Sequence, residues 1–254
     1  MSDLLLLSLA GILGGIVNSL AGGGSFITFP ALLAVGVPPV IANASNTLAA
    51  TAGYLSGTWA LKQEIKDAPK TLWVWGSISA IGGGTGAYLL TQTSNSDFNN
   101  AIPWLLLFAT LIFIFGGWIN TQLQRWSHQH SQRDTAQRAV YALVFIGVSI
   151  YGGFFNAGLG ILLLSYFSLA GYKSVNEMNA LKLLYSSTIS ACAIMYFLVN
   201  DMISWFETGI LLAGTLTGGY AAGHLSKKIP ALWIRRAIIL SSSGITLYFF
   251  IANG

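Results

Sequence analysis

Seven stretches of this chain, 4–61, 71–96, 98–124, 139–172, 183–200, 208–226 and 237–254, contain no Asp, Glu, Lys or Arg. Together they hold 200 of its 254 residues. Only 8% of the chain is charged and 54% is hydrophobic, against about a quarter charged in soluble domains. Such a chain cannot cover itself with polar surface in water. It reads as an all-α polytopic membrane protein. The net charge of +4 fits loop lysines and arginines, which favour the cytoplasmic side, and points to no nucleic acid. A single cysteine, Cys192, excludes an internal disulfide and a multi-cysteine metal site. The N-terminus lacks a basic n-region, so Leu4–Leu20 is expected to be a retained span.

A helical span needs about 20 apolar residues. The pattern predicts eight, near 4–20, 38–60, 71–91, 101–122, 138–156, 174–199, 204–223 and 231–253. Two shorter pieces, 25–36 and 158–170, follow glycine breaks. At about 1.5 Å per residue each covers only ~18 Å, so they are expected to re-enter or cross at a slant. The breaks are Asn18-Ser-Leu-Ala-Gly22-Gly23-Gly24-Ser25 and Asn156-Ala-Gly158-Leu-Gly160. Broken backbone at membrane depth is tolerated only where it is buried in protein or lines a cavity.

The two halves look like a repeat. Gly14, Gly15 and Asn18 match Gly152, Gly153 and Asn156 at a spacing of 138. Asn43 and Asn46 match Asn176 and Asn179 at 133, and Gly82 and Gly86 match Gly214 and Gly218 at 132. Residues 1–122 would form the first repeat, 123–137 a cytoplasmic linker and 138–254 the second. Lys62, Lys66 and Lys70 follow the 38–60 span, whereas the equivalent loop near Asn200–Ile203 has no basic residue. At the next loop the bias reverses, with none in Thr91–Pro103 and Lys227, Lys228, Arg235 and Arg236 opposite. Equivalent loops thus face opposite sides, as in inverted-topology repeats with a midplane site. The linker is then cytoplasmic and both termini are external.

Lys182 is the most telling single residue. Ser174-Val-Asn-Glu177 reads as a capping box, which puts Lys182 about 12 Å into its helix and near the bilayer middle. An ammonium there costs at least about 2.5–3.5 kcal/mol unless it meets a cavity or a counter-charge. Asn179, Lys182, Ser186 and Ser190 share one helix face. The competing reading is a lysine that snorkels or pairs with Glu177. In the first half the equivalent stripe, Asn43, Asn46, Thr47 and Thr51, is neutral, with Ala49 in place of Lys182. Such groups donate to oxyanions or bond helices together. The Gly22–Ser25 turn opens a short helix whose N–H groups favour an anion, with a structural hairpin as the alternative. The candidate substrate-binding set is therefore Asn18, Gly22, Gly23, Gly24, Ser25, Asn43, Asn46, Thr47, Asn156, Gly158, Asn179, Lys182 and Ser186.

Gly82-x3-Gly86 and Gly214-x3-Gly218 read as helix contacts. No convincing catalytic pattern, cofactor motif or metal cluster is present, and His128 and His130 lie in the polar segment. Every carboxylate maps to a loop or a span end, which weakens the case for proton coupling through a buried acid.

The run Asn18…Gly22-Gly23-Gly24-Ser25…Pro30…Gly36-Val-Pro38, its second-half echo and the eight-span length resemble the TauE/SafE family of sulfite and sulfonate exporters. Asn179-Ala-Leu-Lys182 is similar to a lysine-bearing segment in part of that family. The resemblance covers nearly the whole chain. It implies movement of small sulfur-containing anions across the bacterial inner membrane, with no cofactor. A carrier of another organic anion such as a carboxylate, and an anion channel, stay open as alternatives. The expected partners are the anion and the lipid bilayer, and a homo-oligomer is left open.

Overall fold

The computed structural model describes all residues except Met1, 66–70, 130–134, Lys173, 226–230 and Gly254. Among the described residues the chain forms ten α-helices and one short 3-10 helix, without strands. They are α1 (Ser2–Ala21), α2 (Ser25–Ala34), α3 (Pro39–Ala60), α4 (Thr71–Thr91), α5 (Asn95–Gln129), α6 (Thr135–Phe154), α7 (Leu159–Leu169), α8 (Val175–Val199), α9 (Trp205–Leu225) and α10 (Ala231–Asn253), with the 3-10 helix at Lys62–Ile65 after α3. Eight reach 20 residues or more, and α2 and α7 have 10 and 11. By length and composition alone, Ser2–Ser19 and Asn176–Val199 pass a strict test for crossing a membrane.

The sequence-derived ends agree within about two residues for most helices, because glycine turns, proline and charge interrupt the apolar runs there. Pro38 and Pro39 start α3, and proline in a first helical turn loses no hydrogen bond. Ser174 Oγ accepts from the Glu177 N–H at 3.3 Å, so the side-chain cap of α8 is formed. The described parts of the polar segment 122–138 are helical despite their polar composition. Helix α5 continues through it to Gln129, and α6 already begins at Thr135. His130 and Asp134 lie outside the described residues.

Large apolar side chains face outward, and a set of polar side chains is buried within an otherwise apolar core. Trp73, Ile81, Val199, Leu240 and Ile251 are largely exposed, while Asn18, Asn43, Asn46, Asn156, Lys182 and Ser186 are buried. An apolar exterior this extensive suits a lipid solvent.

Glycine contacts fix the architecture. Gly15 lies against the backbone of Thr215, and Gly11 and Ile12 lie against Gly214 and Gly218, so α1 and α9 run side by side in the same direction. In the second pair Gly153 lies against Gly83, and Ser149 and Ile150 lie against Gly82 and Gly86, so α6 and α4 do the same. Each contact in one pair maps onto its counterpart in the other at the spacings of 138 and 132 seen in the sequence. The exchange is reciprocal: the first helix of each half packs on the fourth helix of the other.

Helix directions follow. Leu72, Gly83 and Tyr88 of α4 meet Tyr185, Ile189 and Tyr196 of α8 in ascending order, so these two run parallel. The short connection 200–204 turns the chain back from α8 into α9. Thus α6 runs with α4 and α8, opposite to α9 and α1. Equivalent helices of the two halves are inverted.

Candidate functional site

The two interrupted helices meet each other. Gly22, at φ +76°, ends α1, and Gly158, at φ +80°, caps α7. Left-handed backbone of this kind favours glycine. A methyl group placed on Gly22 would sit 3.7 Å from the Cα of Gly160 and 3.7 Å from Lys182 Nζ. One placed on Gly160 would sit 3.5 Å from the Cα of Gly22 and 3.3 Å from Lys182 Cδ. Gly22 and Gly160 are 138 residues apart, so equivalent points of the two halves touch. The Lys182 side chain therefore lies against both glycines where the two turns meet.

Lys182 comes from α8 and is 4% exposed. Its ammonium donates to Asn179 Oδ1 at 3.3 Å, one turn back on the same face. Glu177 sits in the first turn of α8, and among the described residues no carboxylate stands within ion-pair distance of Lys182. The side chain turns inward rather than reaching for an aqueous end.

On the other wall α3 presents Asn46 and Gly53 toward the first break and Asn43 toward the second. Asn46 Oδ1 accepts from Thr28 Oγ1 at 2.5 Å, and Thr28 stands one turn after Ser25 on α2. Asn18 packs its Cβ against Gly24 and its amide near Gly53. Asn43 Nδ2 donates to the Phe154 carbonyl at 2.8 Å, where α6 stops. Gly24 and Gly158 begin α2 and α7 with no side-chain cap. Backbone carbonyls of the turns accept from the Phe26, Ile27, Leu159 and Ile161 N–H groups instead, so most of the first-turn donors are already engaged. Beneath them, Phe29 and Phe155 pack edge to face at 5.5 Å and join the two breaks through apolar contact.

Six buried side-chain atoms have no hydrogen-bond partner among the described residues: Asn18 Oδ1, Ser25 Oγ, Asn43 Oδ1, Asn46 Nδ2, Ser165 Oγ and Ser186 Oγ. Native interiors leave few such groups, and each asks for an explanation. Five belong to the set picked from the sequence, and Ser165 on α7 is the exception. Asn18 Oδ1 and Asn43 Oδ1 are acceptors, Asn46 Nδ2 is a donor and the serine hydroxyls can be either, so with Lys182 beside them the set can donate to an oxyanion through Ser25, Ser186 and Asn46.

Other members of the predicted set are held differently. Asn156 is fully engaged, accepting from Tyr54 OH at 2.7 Å and donating to Ser190 Oγ at 3.1 Å. It braces the second break against α3 and α8. Thr47 Oγ1 bonds its own helix at the Asn43 carbonyl, 2.9 Å away. Gly23 is buried in the first turn. Thr28, Tyr54 and Gly160 join the site from outside the set picked from the sequence. Gly160 alone carried a signal, as the equivalent of Gly22.

These features belong to a chain with known relatives. The family model described as "Sulfite exporter TauE/SafE" matches residues 7–249. The chain is 27% identical over 250 residues to a "Probable membrane transporter protein" of Haemophilus influenzae, covering 94% of this chain and 92% of that one. It is 25% identical to "Probable membrane transporter protein YfcA" of Escherichia coli K12, covering 91% of this chain and 84% of that one. It is also 25% identical to "Probable membrane transporter protein ORF9" of a Sinorhizobium species, covering 95% and 90%. No solved structure matches it. With an all-helical, inverted architecture, an apolar exterior and buried polar groups at two interrupted helices, the chain is a multi-pass membrane transporter and belongs to the TauE/SafE family.

Proposed function

We propose that this transporter carries small sulfur-containing oxyanions, such as sulfite or an organosulfonate, out across the bacterial inner membrane by alternating access. The observation that carries the reading is Lys182: a buried ammonium with one neutral hydrogen-bond partner, set where the two glycine turns touch. An anion between the turns would receive the Lys182 charge, the Ser25 and Ser186 hydroxyls and the Asn46 amide, with the uncapped start of α2 adding its dipole. Each of these is better satisfied with an oxyanion than without one. The inverted repeats supply the machinery, since rocking one half against the other exposes a midplane site to each side in turn. The lysines after α3 support a cytoplasmic face there, and both termini are then external.

The test is flux from proteoliposomes. Labelled sulfite and a panel of sulfonates and carboxylates of matched size are loaded, and efflux is followed with and without external substrate. Saturable efflux that prefers sulfur oxyanions is expected. Preference for carboxylates would reassign the substrate, and flux that neither saturates nor shows counterflow would make the protein a channel.

A further inference from the structure

The charge balance of the site constrains how its movement is coupled to occupancy. Lys182 is 4% exposed, and its ammonium donates to the Asn179 amide oxygen. Among the described residues no carboxylate lies within ion-pair distance. The unpartnered polar atoms at the two breaks and on α3 and α8, on Asn18, Ser25, Asn43, Asn46 and Ser186, belong to hydroxyls and amides. They stabilise an anion but cannot supply a negative charge themselves. Equivalent positions in the first half add none, because Ala49 stands where Lys182 stands in the second. A buried charge without an opposite one is costly to seal away from water.

Building on the anion-transport reading, we propose that Lys182 and one singly charged anion form a charge-matched unit, that only this occupied unit crosses between the two faces, and that the protein is an anion-for-anion exchanger. With the anion bound, the pair is neutral and the closed intermediate of alternating access buries no net charge. With the site empty, the same intermediate has to enclose a bare ammonium against the Gly22 and Gly160 turns. Water would have to stay with the ammonium, and the passage would stay open to the side it last faced. The empty transporter therefore waits for a new anion before it returns. Lys182→Gln removes the charge and with it the obstacle. That variant binds more weakly but returns empty as readily as loaded.

The experiment uses the full chain in liposomes loaded with labelled methanesulfonate, with potassium and valinomycin on both sides so that electrical back-pressure does not limit net efflux. Efflux into medium containing unlabelled methanesulfonate is expected to exceed efflux into substrate-free medium by roughly tenfold or more. Lys182→Arg should keep that ratio and Lys182→Gln should bring it close to one. Equal wild-type rates in the two media would overturn the proposal while leaving anion transport intact. So would net efflux that an imposed proton gradient drives without external anion, since Lys182 would then shed its proton to return. The wild-type ratio decides the matter even where a variant fails to fold. Folded wild-type protein that moves no anion under any condition, exchange included, would instead remove the anion-transport reading and the exchanger with it.

Discussion

Asn18 and Asn156 occupy equivalent places before the two breaks, yet their side chains do different things. Asn156 makes two hydrogen bonds, to Tyr54 and Ser190, whereas the Asn18 carbonyl oxygen is buried without a partner. Removing a partner from a buried hydrogen bond costs about 1–3 kcal/mol, and removing an unpartnered group costs little or stabilises. Asn156→Ala should therefore lower the melting temperature, while Asn18→Ala should leave it nearly unchanged and weaken substrate binding. Thermal denaturation and sulfite binding by each purified variant separate the two roles. An equal loss of stability in both would show that Asn18 is also a brace. The sequence made the pair look alike because it shows residue type and spacing, and neither reveals which amide finds a tyrosine 102 positions away. Lys182 is the opposite case. A charge eight residues inside an apolar helix is so costly that position alone marked it, and the structure places it where the breaks meet. Lys182→Gln is expected to cut anion affinity by about tenfold or more, with Lys182→Arg less affected, because one charge at contact distance contributes a few kcal/mol at most at an effective dielectric near 20. Binding measured across a salt series checks this, and unchanged affinity in Lys182→Gln would make it a structural lysine.

At the scale of helices, glycines that look interchangeable in the sequence have separate duties. In α4 the run Gly82-Gly83-Gly84 is continuous, but a methyl on Gly82, Gly83 or Gly86 would press on Ser149 or on backbone atoms of α8 and α6, whereas nothing lies within 4 Å of one on Gly84. Overpacking a close contact costs about 1–3 kcal/mol, and replacing a helical glycine by alanine where space is open gains about 0.5–1 kcal/mol. Gly86→Ala should lower the melting temperature by several degrees, and Gly218→Ala, its equivalent against Ile12, should do the same. Gly84→Ala should leave it unchanged or raise it. Melting curves in one detergent decide the matter, and a Gly86→Ala protein as stable as wild type would mean that α4 and α6 can move apart freely. Element lengths were legible from the sequence, since charge, proline and glycine punctuate the apolar runs. The partner of each helix was not. Spacing identified equivalent helices, but the exchange of first and fourth helices between halves is a tertiary fact that no local pattern carries. The same limit explains α5, whose apolar stretch ends near residue 122 while its backbone stays helical to Gln129. Polarity marks where lipid ends, which need not be where the helix ends.

For the whole molecule, the inverted arrangement makes a statement about sides that the fold and the charges support independently. The Val40 N–H donates to Asn95 Oδ1 at 3.2 Å and the Ser204 N–H donates to Ser45 Oγ at 3.0 Å. The start of α3 therefore sits beside the starts of α5 and α9. The connections 91–95 and 200–204 share that face, and Lys62–Ile65, at the other end of α3, lies on the opposite one. Lys62, Lys66 and Lys70 are basic while the first two connections contain no Lys or Arg, so the basic-inside rule predicts a cytoplasmic side for Lys62–Ile65 and an external side for the other two. Single cysteines introduced at the exposed positions Gln63, Ser96 and Asp201, after the half-buried Cys192 is replaced by alanine, report this directly. In intact cells an impermeant maleimide is expected to label Ser96→Cys and Asp201→Cys, and to label Gln63→Cys only after the membrane is opened. Residue 63 could be labelled from outside with 96 and 201 protected if the basic-inside rule fails here, which would reverse the molecule but keep its fold. Labelling of 63 and 96 from the same side is the damaging result, because α3 would then not separate them and the inverted pair of repeats could not frame a site between the two glycine turns.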